Sequence, residues 1–118
     1  MKVIIAGTMD LEDPSQIKEM IQSARPHIDG ALEEEGCIAY DWTEDHLTPG
    51  RVHVYEEWAS SETLEAHLQG HWYRDMGAHL GQYPRKASNS VIKKYRVEFE
   101  EPVYDETMVA TGHFSDGK

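Results

Sequence analysis

Residues 36–76 read GCIAYDWTEDHLTPGRVHVYEEWASSETLEAHLQGHWYRDM, and this stretch decides the fold. Cys37 to Glu44 alternates in the manner of a strand, with Ile38, Tyr40 and Trp42 on one face and Cys37, Ala39 and Asp41 on the other. Asp45 to Gly50 supplies hairpin chemistry through Thr48-Pro49-Gly50. Arg51 to Ala59 alternates again: Val52, Val54, Glu56 and Trp58 share one face, and His53, Tyr55 and Glu57 the other. Ser60 or Ser61 then caps a short helix with Glu62 in its first turn, where negative charge is favoured. Gly70 interrupts that helix. His71 to Leu80 continues as a second helical piece with Trp72, Met76, His79 and Leu80 on one side.

Working outward, Lys2 to Met9 reads as a strand. Val3, Ile4, Ile5 and Ala6 are apolar on both faces, as in a central strand covered on both sides. Asp13-Pro14-Ser15-Gln16 starts a helix, with Asp13 as cap, Pro14 in the first turn and Gln16 closing a capping box. Ile17, Met20, Ile21, Ala24, Ile28, Ala31 and Leu32 form one apolar stripe, which Pro26 is expected to kink. Gly36 ends the helix with positive φ. Ser88 to Glu100 is a long final strand.

The order βαββαβ is that of a ferredoxin-like α+β unit, a sheet covered by helices on one face. The other face needs a partner, and a second copy of the chain is the usual one. Residues 1–100 form this domain. Residues 101–118 are a C-terminal extension, expected to dock in part, on its own or on a partner subunit, through Met108, Val109 and Phe114.

With 118 residues the chain is one domain, and a domain of that size buries roughly two thirds of its unfolded surface. A net charge of −11 argues against nucleic acid and anionic membranes, both of which need a basic face. The lone cysteine, Cys37, allows no internal disulfide and fits a reducing cytoplasm; in its strand it reads as inert packing. No apolar run approaches the roughly 18 residues of a membrane span, and the opening MKVIIAGTMD reads as a strand rather than a leader. There are seven histidines but no His-x-His, and Gly70 separates His67 from His71, so no metal site is expected. No phosphate loop, dinucleotide fingerprint or serine-nucleophile motif is present.

Taken together, Gly36-Cys37-Ile38-x-Tyr40, the Pro49-Gly50 hairpin, Val52-x-Val54-Tyr55-Glu56-x-Trp58 and Leu64-Glu65-Ala66-His67-Leu68 resemble the antibiotic biosynthesis monooxygenase (ABM) domain, of quinol-monooxygenase type. The resemblance implies a homodimeric α+β barrel. It also implies a cofactor-independent oxidation of a small aromatic or quinol substrate by O₂ in a cavity between sheet and helices. In that family the tryptophan at the position of Trp58 lines the cavity and the histidine at that of His67 stands in its wall. Glu57 occupies a position where the family often has arginine.

Candidate residues follow from residue chemistry and resemblance together. His67, on the buried side of its helix, is either the catalytic base or a structural histidine bonded to a strand group. Tyr40 is a buried phenol that would orient a substrate oxygen. Trp58, Trp72, Val54 and Glu56 are candidate substrate-binding residues; for Trp72 the alternative is core packing, and Glu56 is either a base of raised pKa or the partner of an arginine such as Arg74 or Arg96. Two alternatives stay open. One is a non-oxygenase of the same fold, a small-metabolite isomerase or binding protein. The other is a heme-degrading relative, for which the axial histidine would fall at Gly77, with His79 two residues off register and therefore turned by about 200°.

Overall fold

The computed structural model describes residues 1–87 and 91–118. Strand β1 (Val3–Asp10) leads through a 3₁₀ turn (Pro14–Gln16) into α1 (Ile17–Ser23) and α2 (Arg25–Leu32). The hairpin β2 (Cys37–Glu44) and β3 (Arg51–Trp58) follows, then α3 (Ser61–Gln69), α4 (His71–Leu80) and β4 (Val91–Arg96). The sheet runs β2-β3-β1-β4, and every neighbouring pair is antiparallel. This is the ferredoxin-like arrangement that the element order predicts.

Local chemistry explains most boundaries. Asp13 accepts the Ser15 N–H at 3.0 Å. Gln16 closes no capping box: the chain takes a 3₁₀ turn first, and Gln16 Oε1 is left buried without a hydrogen bond. The expected kink at Pro26 is a full break at Ala24, which ends α1 and begins α2 with Pro26 in its first turn, where no N–H is needed. The stripe keeps its phase across the break: Ala31, seven residues on from Ala24, is buried, while Leu32 beside it is exposed. Gly36 has φ +79°, the left-handed turn that glycine takes freely. Ser60 caps α3 in a reciprocal capping box with Thr63.

Two strand readings need correction. A bulge between Cys37 and Ala39 inserts a residue into β2, so Cys37 packs on the core with Tyr40 while Ile38 is 52% exposed. The final strand ends at Arg96 rather than Glu100, because antiparallel pairing with β1 ends at Val3–Arg96, leaving only the Val97 N–H to bond the Lys2 carbonyl. The start expected at Ser88 lies outside the described residues.

The core fills the space between sheet and helices, with Met9, Leu11, Ile17, Met20, Val52 and Trp58 all but sealed from solvent. Burying one such side chain stabilises by about 1.5–3 kcal/mol. The opposite face of the sheet is open. Ala6 pairs with Tyr55 and Ile4 with Tyr95, and both tyrosines are exposed. β1 is therefore central in the sheet but covered on one side only within a single chain.

Residues beyond β4 fold largely on themselves. Tyr104 bridges to Ala110, the Phe99 and Phe114 rings meet edge to face at 6.1 Å, and Glu101 accepts from the Ser115 backbone and hydroxyl. The Cα radius of gyration is 16.4 Å, against about 13.5 Å for a compact chain of this length.

Candidate functional site

The site begins with strand pairing. Residues opposed across antiparallel strands point to the same face, so Tyr40 on β2, Glu56 on β3 and Ile5 on β1 form one row beneath the helices. Trp42, Val54, Gly7 and Ile92 form the next row. Above them α4 offers Tyr73, Arg74, Met76, Gly77 and Leu80, and α3 offers Leu68. The space between is a cavity of about 570 Å³ walled mainly by apolar groups. Its polar lining comprises Tyr40, Glu56, Arg74 and Arg85, with the edges of Trp42 and Tyr73. A cavity of this size suits a small aromatic molecule.

Glu56 is 7% exposed and accepts the Trp58 indole N–H at 2.9 Å on Oε1. Burial pushes its pKa up; the indole hydrogen bond and the neighbouring His67 hold it back in part. No arginine lies within ion-pair distance among the described residues, so the expected Arg74 or Arg96 partner is replaced by an indole. Burial likewise holds the Tyr40 phenol protonated, far above the ordinary tyrosine range. The nearby Trp42 indole opposes this, although its buried N–H meets hydrogen-bond geometry with no partner among the described residues.

His67 is 2% exposed and stands one layer behind the cavity. Its ring stacks on Trp58 at 4.5 Å and meets the edges of Tyr40 and Tyr73 at 5.7 Å. Nδ1 lies 2.5 Å from Glu34 Oε1. A carboxylate can only accept, so in this contact Nδ1 is the donor. On the Glu34 side lies a second hollow of about 340 Å³ that also touches Glu35 and Glu62.

Of the six residues singled out from the sequence, Tyr40 and Glu56 line the cavity, and His67 and Trp58 back them. Val54 is buried in the sheet without lining it. Trp72 packs on the far side of α4, against the His27 ring and so closely on Gly30 that a Cβ there would collide with the indole. Sequence reasoning missed Glu34. In the run Glu33-Glu34-Glu35 it looks like solvated charge, and only the Gly36 turn, seated on Thr63 of α3, carries it to His67.

The profile of the antibiotic biosynthesis monooxygenase family matches residues 3–78. The chain belongs to that family. Among solved structures, a conserved protein of Methanosarcina mazei superposes with a TM-score of 0.71 at 22% identity, covering 81% of this chain and 92% of that one. A candidate antibiotic biosynthesis monooxygenase of Deinococcus radiodurans gives 0.70 at 19% identity, covering 87% and 99%. These likenesses show the shared fold. An uncharacterised protein of Synechocystis is 25% identical over 73 residues, which is 62% of this chain; the match spans about half of that relative, 49%. Among the described residues no helix is long and apolar enough to cross a membrane. The cavity between sheet and helices carries a phenol and a carboxyl side by side on its floor.

Proposed function

We propose that the chain is a monooxygenase that oxidises a small aromatic or quinol-type substrate with O₂, drawing electrons from the substrate itself. The observation that carries this reading is the Tyr40–Glu56 pair, opposed across two strands on the floor of an apolar cavity. Such a substrate must lose a proton before it gives electrons to O₂. A buried carboxyl of raised pKa beside the ring is a fitting acceptor, and a protonated phenol can hold the resulting oxyanion. For an anthrone-like methylene the balance is R₂CH₂ + O₂ → R₂C=O + H₂O, one oxygen atom entering the substrate and the other leaving as water.

This division of labour gives Glu56 the proton transfer and Tyr40 the substrate oxygen. His67, tied to Glu34 and stacked on Trp58, sets the charge and position of the wall behind them. We further propose that the protein works as a homodimer, its open sheet face meeting that of a second copy, with Tyr55 and Tyr95 in the contact. The same acid and phenol would serve an isomerase, which consumes no oxygen. The heme reading has less support: Gly77 lines the cavity without a side chain, and His79 lies 3.0 Å from the Met20 carbonyl and the Ser23 hydroxyl of α1.

The test is oxygen uptake by metal-free protein with a panel of hydroquinones and anthrones. Enzyme-dependent uptake that falls by about 100-fold or more in Glu56→Gln is expected, the usual scale for a lost general base. No uptake, or uptake unchanged in that variant, would sink the proposal. His67→Ala, run alongside, separates a base from a wall: a loss deeper than that of Glu56→Gln would return the proton transfer to His67.

A further inference from the structure

Residues 85–96 contain five basic side chains and no acidic one, in a chain with 22 acidic and 11 basic residues. The fold carries this basic segment to the cavity: Arg85 and Ile92 are part of its lining, and Arg74 reaches it from α4. Lys94 and Arg96 follow Ile92 along the same, helix-facing side of β4.

Neither cavity arginine meets a carboxylate among the described residues. Arg74 donates to the Gln69 carbonyl at 2.8 Å. Among the described residues the Arg85 side chain makes one hydrogen-bond contact, with the Met9 sulfur at 3.8 Å, a weak acceptor. Elsewhere on the chain Lys2, Arg25 and Arg51 each hold a carboxylate. Glu56, the one carboxyl in the lining, bonds Trp58 and stays outside ion-pair range of both guanidiniums.

The cavity is thus polarised. Its floor is a phenol and a carboxyl, its walls are apolar, and two planar cations with free donors stand in its lining. A guanidinium fork matches a carboxylate, and in a protein whose overall field repels anions a local cationic rim is what admits one. We infer that the substrate is an aromatic acid, its ring on the Tyr40–Glu56 floor and its carboxylate held by Arg74 and Arg85. This rests on the reading of the cavity as the substrate site.

The experiment is titration calorimetry at low salt with a matched pair of probes, 1-hydroxy-2-naphthoate and 1-naphthol, against wild type and the Arg74→Gln/Arg85→Gln double variant. Both arginines are exposed, and circular dichroism checks that the variant folds. The acid should bind wild type about tenfold more tightly than the naphthol, a preference that falls toward parity in the variant and in high salt, while naphthol affinity holds. Equal affinities in wild type, no binding of the acid, or a preference that survives in the variant would overturn the inference. Binding needs no turnover, so the two readings fail separately. Arginine-dependent acid binding without oxygen uptake would sink the monooxygenase and leave the aromatic acid standing; uptake with neutral quinols alone would do the reverse.

Discussion

Glu56 and Glu57 are neighbours in one strand, yet they live in different solvents. Glu56 faces the helices, is nearly sealed from water and rests on one indole N–H. Glu57 faces outward and lies 3.1 Å from the Lys2 ammonium. The same contrast holds for Tyr40, 7% exposed, and Tyr55, 40% exposed. A period of two thus gives neighbouring glutamates of β3 two environments, one sealed beneath the helices and the other facing outward.

Glu56→Gln is the largest expected break in this comparison. Besides the loss of turnover it has a stability signature whose sign follows from burial. A carboxyl whose folded pKa is raised above its unfolded value binds the proton more tightly when folded, so wild type loses stability as pH rises from about 4.5 through the folded pKa. The glutamine variant keeps an acceptor for Trp58 and escapes that loss. Its melting temperature should therefore match wild type near pH 4 and exceed it near neutrality. A variant that melts lower at neutral pH would mean that Glu56 holds an ionised, stabilising role.

Trp58→Phe sharpens the buried side. It removes the indole hydrogen bond to Glu56 and leaves a cavity beside His67; the expected cost is about 2–4 kcal/mol by urea denaturation. A change below about 0.5 kcal/mol would show that the indole is not the prop described above.

Tyr55→Arg tests the other face. Placing charge on the proposed contact should turn a dimer into a monomer in sedimentation velocity, while the cavity face keeps its fold. A wild type that sediments as a monomer removes the need for a second copy.

The smallest effect is at Gly77. A Cβ there meets nothing within 4 Å, and alanine is a better helix former than glycine by about 1 kcal/mol. Gly77→Ala should raise stability by about 0.5–1 kcal/mol while narrowing the cavity. Unaltered ligand affinity in that variant would show that the ligand does not lie against this turn of α4.

The sequence was most legible where one periodicity ran uninterrupted. Val52, Val54, Glu56 and Trp58 alternate without error, and Gly36 marks a turn whose positive φ few residue types tolerate. It was least legible where one residue reset the phase. The bulge at Ile38 swaps the faces of Cys37 and Ile38 with no proline or glycine inside the strand to announce it. The candidate site was half legible for a related reason. Tyr40 and Glu56 follow from strand alternation, whereas Glu34 and Arg85 arrive on connecting segments whose path depends on packing. Trp72 shares the apolar side of its helix with Met76 and Leu80, yet a glycine on α2 draws it to the far side, and no local pattern distinguishes a pocket wall from a helix seam.

Lys2 gathers three parts of the chain at one point: its carbonyl takes the Val97 N–H, and its ammonium reaches Glu57 on β3 and Glu100 beyond β4. The C-terminal segment is therefore moored to the sheet by charge as well as by a single backbone bond. Ionic strength acts on such a mooring far more than on the core, so salt is the natural control over how firmly that segment lies against the sheet. A tag fused ahead of Met1 would enter at the mooring itself.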